Sequence, residues 1–175
     1  MNCLKLLKKF VTNTRLDYLF DVKLAEGKRA VMLYPTYDLW LFEPQFKLLQ
    51  QFARQLGEKN FFLTQFFDIE RRKKRLFRTI KSHKLTTRTT YEEYLSVNLY
   101  SISVLLSVKG TWALLIDETF HDGYGIFISD SKTVEQFELL LKQLPPDNIQ
   151  VEDREHYVKY QKYYEDLLKT NGILQ

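Results

Sequence analysis

The sequence predicts an α+β fold: an antiparallel sheet that includes a three-stranded meander, packed by helices. Three observations predict it. Residues 99–128 hold three short apolar stretches separated by turn chemistry, the pattern of an antiparallel meander. Residues 43–57 and 131–146 carry apolar side chains at helical spacing between a start signal and a stop signal. The elements do not alternate strand and helix as a doubly wound parallel sheet requires. A length of 175 residues suits a single globular domain.

The elements follow in order. Leu4, Leu7 and Phe10 or Val11 lie at helical spacing with Lys5, Lys8 and Lys9 opposite, a short amphipathic helix over 2–10. Residues 18–24 and 29–34 read as two strands joined by the turn 25–28, forming a hairpin. Pro35 interrupts the second strand, because it has no N–H to give a ladder. The apolar stretch 37–42 is a strand or a packed loop. Glu43-Pro44 opens a helix whose face carries Phe46, Leu49, Phe52, Ala53 and Leu56, and Gly57 closes it. Residues 60–69, rich in Phe, read as a buried strand.

A basic segment, 71–88, comes next and reads as a short helix or a long loop. Its β-branched end, 86–90, is a poor helix interior. Thr90 then caps a helix beginning at Tyr91, with Glu92 and Glu93 suited to its first turn. The meander strands are 99–108, 112–116 and 125–128, with Lys109-Gly110 as one turn and 117–123 as a polar connection. Ser131 caps a helix over 132–144 that turns Val134, Phe137, Leu140, Leu141 and Leu144 inward, and Pro145-Pro146 stops it. The C-terminal segment 154–170 forms a last helix with Tyr157, Tyr160, Tyr164, Leu167 and Leu168 on one face.

Composition bounds the function. The chain is 45% hydrophobic and holds 13 Phe, 11 Tyr and 2 Trp, enough aromatic area for a substantial core. One cysteine, Cys3, excludes an intrachain disulfide and a multi-cysteine zinc site, and fits a reducing, cytoplasmic compartment. The N-terminus reads as no signal peptide, since lysines interrupt its apolar residues. No apolar run is long enough to span a membrane. His83, His121 and His156 are far apart and match no metal-binding spacing, and Gly123 and Gly125 lack the helix and lysine of a phosphate loop. No cofactor is expected, and the chain reads as a binding protein rather than an enzyme.

Two groups of residues stand out as candidate contacts. The first is Arg71, Arg72, Lys74, Arg75 and Arg78, within a segment of nine cations and no acid. Removing those nine charges from the net +4 leaves −5 for the rest of the chain, so an acidic body carries one basic segment. Acids elsewhere in the fold can neutralise it, an acidic protein surface can pair with it, or nucleic-acid phosphates can. The second group is Glu118, His121 and Asp122, carboxylates and an imidazole in one strand connection. Such a connection is polar for backbone reasons alone, yet loops on rigid strands also carry contacts.

The stretch 99–130, with WALLIDETF followed by DGYGIFISD, resembles strand pairs of small bacterial immunity proteins from polymorphic or contact-dependent toxin systems. The resemblance implies a cytoplasmic inhibitor that binds a cognate toxin domain and blocks its active or substrate site. It carries over no functional residue. A nucleic-acid accessory protein using 71–88 is the alternative.

Overall fold

A computed structural model describes residues 3–12, 22–36, 38–65, 82–99, 102–117, 123–144 and 162. The described elements are α1 (Cys3–Leu7), β1 (Arg29–Thr36), α2 (Glu43–Gln55), β2 (Asn60–Gln65), β3 (His83–Thr86), α3 (Tyr91–Leu95), β4 (Ser103–Ser107), β5 (Ala113–Asp117), β6 (Gly123–Ser129) and α4 (Ser131–Leu141). Six strands form one sheet in the order β1-β6-β5-β4-β2-β3, and every neighbouring pair is antiparallel. The fold is therefore α+β, and β4-β5-β6 is the expected meander. Of the expected C-terminal helix, only Lys162 is described, and it is helical and exposed.

Both faces of this sheet are covered. Residues of β4, β5 and β6 are buried throughout, so the strands read as nearly continuous apolar runs. The period of two sends Phe61, Leu63, Leu105, Leu114, Ile116 and Phe127 to one face, where α2, α3 and α4 pack. It sends Val104, Leu106, Leu115, Ile126 and Ile128 to the other, beneath Cys3, Leu7, Phe10 and Val11. Aromatic rings run across the first face. Tyr94 stacks on Phe46 at 4.2 Å, Phe46 meets Phe61 edge-on at 6.3 Å, and Phe61 leads to Trp112 at 5.8 Å. Trp112 continues to Phe127, which stacks on Phe137 of α4 at 3.9 Å. Each such pair adds about 0.5–1.5 kcal/mol beyond its burial.

The strand pairing corrects two expectations, those for Pro35 and for the basic segment. β1 pairs with β6 along Arg29–Leu33, a partner the expected hairpin does not include. Leu24 instead bridges Val11, and the Ala25 N–H donates to the Phe10 carbonyl. The turn itself forms, with Lys28 N–H donating to Ala25 and Gly27 at φ +70°. The partner β6 is seven residues long and buried throughout. Residues 18–21 of the expected hairpin lie outside the described residues. Pro35 does not end β1: the register shifts between Leu33 and Thr36, and the missing donor is tolerated at an edge-strand irregularity. Part of the basic segment is a strand, because His83–Thr86 pairs with β2.

The caps show how local chemistry sets the helices. Pro44 sits in the first turn of α2. At its end, Gly57 (φ +68°) sends its N–H to the Arg54 carbonyl, and Glu58 N–H reaches Ala53. This is a Schellman ending, which needs the left-handed conformation that glycine adopts without strain. Thr90 and Glu93 form a capping box on α3. Asp130, not Ser131, caps α4: its carboxylate accepts from the Thr133 N–H and hydroxyl, both at 3.0 Å.

Two tyrosines of α3 hold the packed loop that precedes α2. The buried Tyr94 hydroxyl accepts from Leu41 N–H at 2.9 Å, and the Tyr91 hydroxyl donates to the Leu41 carbonyl at 3.0 Å. Burial pushes the Tyr94 phenol far above its ordinary value, so it stays neutral. The expected outcome for Tyr94→Phe is a loss of about 1–3 kcal/mol in urea unfolding, because Leu41 N–H is left buried without an acceptor.

Asp130 makes stability depend on acid. Partial burial raises its pKa, but the Thr133 hydrogen bonds and nearby Lys28 outweigh that and hold the carboxyl below its ordinary value. A depressed folded pKa contributes stability above the unfolded value and loses it as pH falls through the folded one. Asp130→Ala is expected to cost about 1 kcal/mol near neutral pH. In a pH series of urea unfolding, the gap between the two proteins closes below about pH 4.

Candidate functional site

The expected contact residues Arg71, Arg72, Lys74, Arg75, Arg78, Glu118, His121 and Asp122 all lie outside the described residues. Their described flanks share one end of the sheet: β2 ends there at Gln65, β3 starts at His83, β5 ends at Asp117 and β6 starts at Gly123. Two of the nine segment cations, Lys84 and Arg88, are described, and both are exposed. Lys84 sits in β3, whereas Arg88 lies past its end at the opposite end of the sheet.

That opposite end carries a charged surface that no single stretch of sequence announces. Four connections meet there: the turn after α1, the α2–β2 corner, the β3–α3 turn and the β4–β5 turn. They bring Lys9, Arg54, Lys59, Arg88 and Lys109, all exposed. None of the five makes an ion pair among the described residues, where the ion pairs are Arg29–Glu135, Lys47–Glu43 and Lys142–Glu138. Arg54, Lys59 and Arg88 line a groove of about 600 Å³ with Gly57, Asn60 and Thr87. A second groove of about 580 Å³ lies between β3 and α3, and Arg88 lines both. Lys109 neighbours the first groove, with its Nζ 3.6 Å from where a Cβ on Gly57 would stand. Lys9 lies across Gly110 in the same β4–β5 turn.

The one carboxylate of the first groove faces inward. Glu58 is 3% exposed. Its oxygens accept from the Ser107 hydroxyl at 2.8 Å and from the Thr111 hydroxyl. Ser107 in turn accepts from the Lys109 and Thr111 N–H groups, which fixes the β4–β5 turn. Lys109 returns across the gap and donates to the Gly57 carbonyl at 3.0 Å and the Leu56 carbonyl at 3.4 Å. There it offsets the negative end of α2. On the far wall, Arg54 donates to Thr87 O at 2.9 Å, and Gln50 donates to Thr86 O and Thr89 O. The groove is thus held from helix, strand and turn at once.

The adjacent sheet edge is largely closed. Thr87 N–H donates to Lys59 O, which sets the ladder phase and turns the Thr86 N–H and C=O outward from β2. Thr89 Oγ1 accepts that N–H at 2.8 Å, while Thr89 N–H and Gln50 donate to that carbonyl. Lys84 occupies the remaining short edge, a charge that discourages strand-to-strand pairing.

Among the described residues, no group of three His, Cys, Asp or Glu side chains is placed to hold a metal ion, and no helix is long and apolar enough to cross a membrane. His83 is exposed on β3, and Cys3 is buried. Comparison of the chain with protein-family models, with curated proteins and with solved structures finds no match. The sequence signal for the basic end was faint by construction, since it contributes one or two cations from each of four separated turns.

Glu58 supports the surface from within, and its variants separate shape from charge. Glu58→Ala strands two hydroxyls in a buried site and is expected to cost about 2–4 kcal/mol in thermal or urea unfolding. Glu58→Gln keeps the volume and one acceptor oxygen and is expected to cost less. Equal stability of Glu58→Ala and the parent would mean that the Glu58 hydrogen bonds to Ser107 and Thr111 do not hold this turn.

Proposed function

We propose that the chain is a small protein-binding module that acts by occupying its partner rather than by catalysis. Its finer reading is an immunity-type protein that neutralises a bacterial toxin domain by blocking the active or substrate site. The observation that supports it most is the basic end of the sheet: five exposed cations without ion pairs among the described residues, around a groove whose walls are tied by hydrogen bonds. Unneutralised charge on a rigid surface steers and orients an oppositely charged partner. The resemblance of 99–130 to immunity proteins supplies the toxin, and the single cysteine supports a reducing, cytoplasmic setting.

Arg71, Arg72, Lys74, Arg75 and Arg78 are proposed to extend the positive surface, with Glu118, His121 and Asp122 as a second contact. The nucleic-acid reading of 71–88 keeps one supporting observation, that Lys84 and Arg88 are exposed cations outside any described ion pair. A tagged pull-down from the native host, with and without nuclease, separates the two. One near-stoichiometric protein that survives nuclease, and whose toxicity is suppressed on co-expression, is the expected outcome. Loss of all co-purifying material after nuclease overturns the reading.

A further inference from the structure

We propose that the basic end of the sheet docks a carboxylate-rich face of a folded protein, with Arg88 and Lys59 as the central contacts. This inference rests on the protein-binding reading above and names the chemistry of the partner. The five cations divide by task. Arg54 and Lys109 each spend hydrogen bonds on backbone carbonyls, at Thr87 and at Leu56 and Gly57. They position the walls of the groove and contribute field. Arg88, Lys59 and Lys9 have no side-chain hydrogen bond or ion pair among the described residues and are exposed, so their charge is available to a partner. Arg88 has the most central place, because it lines both grooves. Its planar fork suits a carboxylate bidentately.

Glu58, the carboxylate nearest these groups in sequence, is consumed by Ser107 and Thr111 and faces the interior. Like charges gathered at one end repel one another in the free protein, and an acidic surface relieves that repulsion on binding.

Two observations favour protein over nucleic acid. Among the described residues, the aromatics nearest this end, Phe10, Phe61 and Trp112, are fully buried, so they offer bases no stacking platform. Val108, in the same β4–β5 turn as Lys109, is one of two exposed large apolar side chains among the described residues. An apolar spot beside cations fits a protein interface, where apolar contact is rimmed by charge. The closed edge of β3 further limits strand addition, so recognition runs through side chains.

The test uses the full chain and two probes of matched charge, a decaglutamate peptide and a ten-nucleotide single-stranded RNA, read by fluorescence anisotropy at low salt. The variant is R88E/K59E, and K47E/K142E is the control with the same change in net charge at other sites. The expected result is decaglutamate binding that R88E/K59E weakens about tenfold or more and the control leaves nearly intact. Tighter RNA binding lost with the same two residues overturns the inference in favour of a nucleic-acid site. Absence of decaglutamate binding, or equal loss in both variants, overturns it outright. A nuclease-resistant partner that binds R88E/K59E as well as the parent removes this face while leaving the protein-binding reading standing.

Discussion

The structure depends on a two-way lock between the corner after α2 and the turn between β4 and β5. Gly57 adopts a positive φ, the helix ends in a Schellman motif, and the next residue, Glu58, is turned inward. Its carboxylate then gathers the hydroxyls of Ser107 and Thr111. Lys109 reciprocates by binding the last carbonyls of the helix corner. One backbone conformation available to glycine thereby couples a helix end, two strands and a hairpin turn. A buried carboxylate is costly unless its oxygens are satisfied, and here the two hydroxyls meet that requirement. Trp112 leaves the same turn and enters the line of aromatic rings, so the lock also sets the starting point of the core.

The second organising constraint is a sheet buried on both faces. Strands with no polar face give little preference for which neighbour they pair with, and length and register then decide. β1 joins β6 across a long stretch of sequence, and sits at the edge of the described sheet, where Pro35 is tolerated. The tie from Tyr91 and Tyr94 to Leu41 stitches this half of the chain to the other over some fifty residues. Such long-range pairing makes the fold rich in non-local contact, the kind of topology that closes slowly in folding.

Local signals were legible in the sequence, and assembled ones were not. The Glu43-Pro44 opening and Gly57 close of α2, the Thr90 cap of α3 and the Lys109-Gly110 turn are each written in a few adjacent residues. Asp130 displaced Ser131 as the cap of α4 by one position, since both residue types cap and the carboxylate makes two bonds to Thr133. β3 was hidden because its strand residues, His83–Thr86, are embedded in a charge-dense segment. The basic end was invisible for a different reason. Lys9, Arg54, Lys59 and Lys109 are unremarkable where they stand in the chain, Arg88 is the last cation of the basic segment, and the five become one surface only when four turns converge. The densest run of charge in the sequence marks another part of the chain.

The closing of β3 has a consequence for what this end of the sheet presents. Thr89 and Gln50 occupy the outward backbone groups of Thr86, so the edge offers little main-chain template to a visitor. Contact made through backbone pairing is largely indifferent to sequence, whereas contact made by Lys and Arg on fixed turns is not. A change at Lys9, Lys59 or Arg88 alters the charge presented there without removing a described side-chain hydrogen bond, whereas Arg54 and Lys109 also hold the groove walls. What a visitor meets at this end is therefore set by individual side chains, while Glu58, Ser107 and Thr111 hold the turns from beneath.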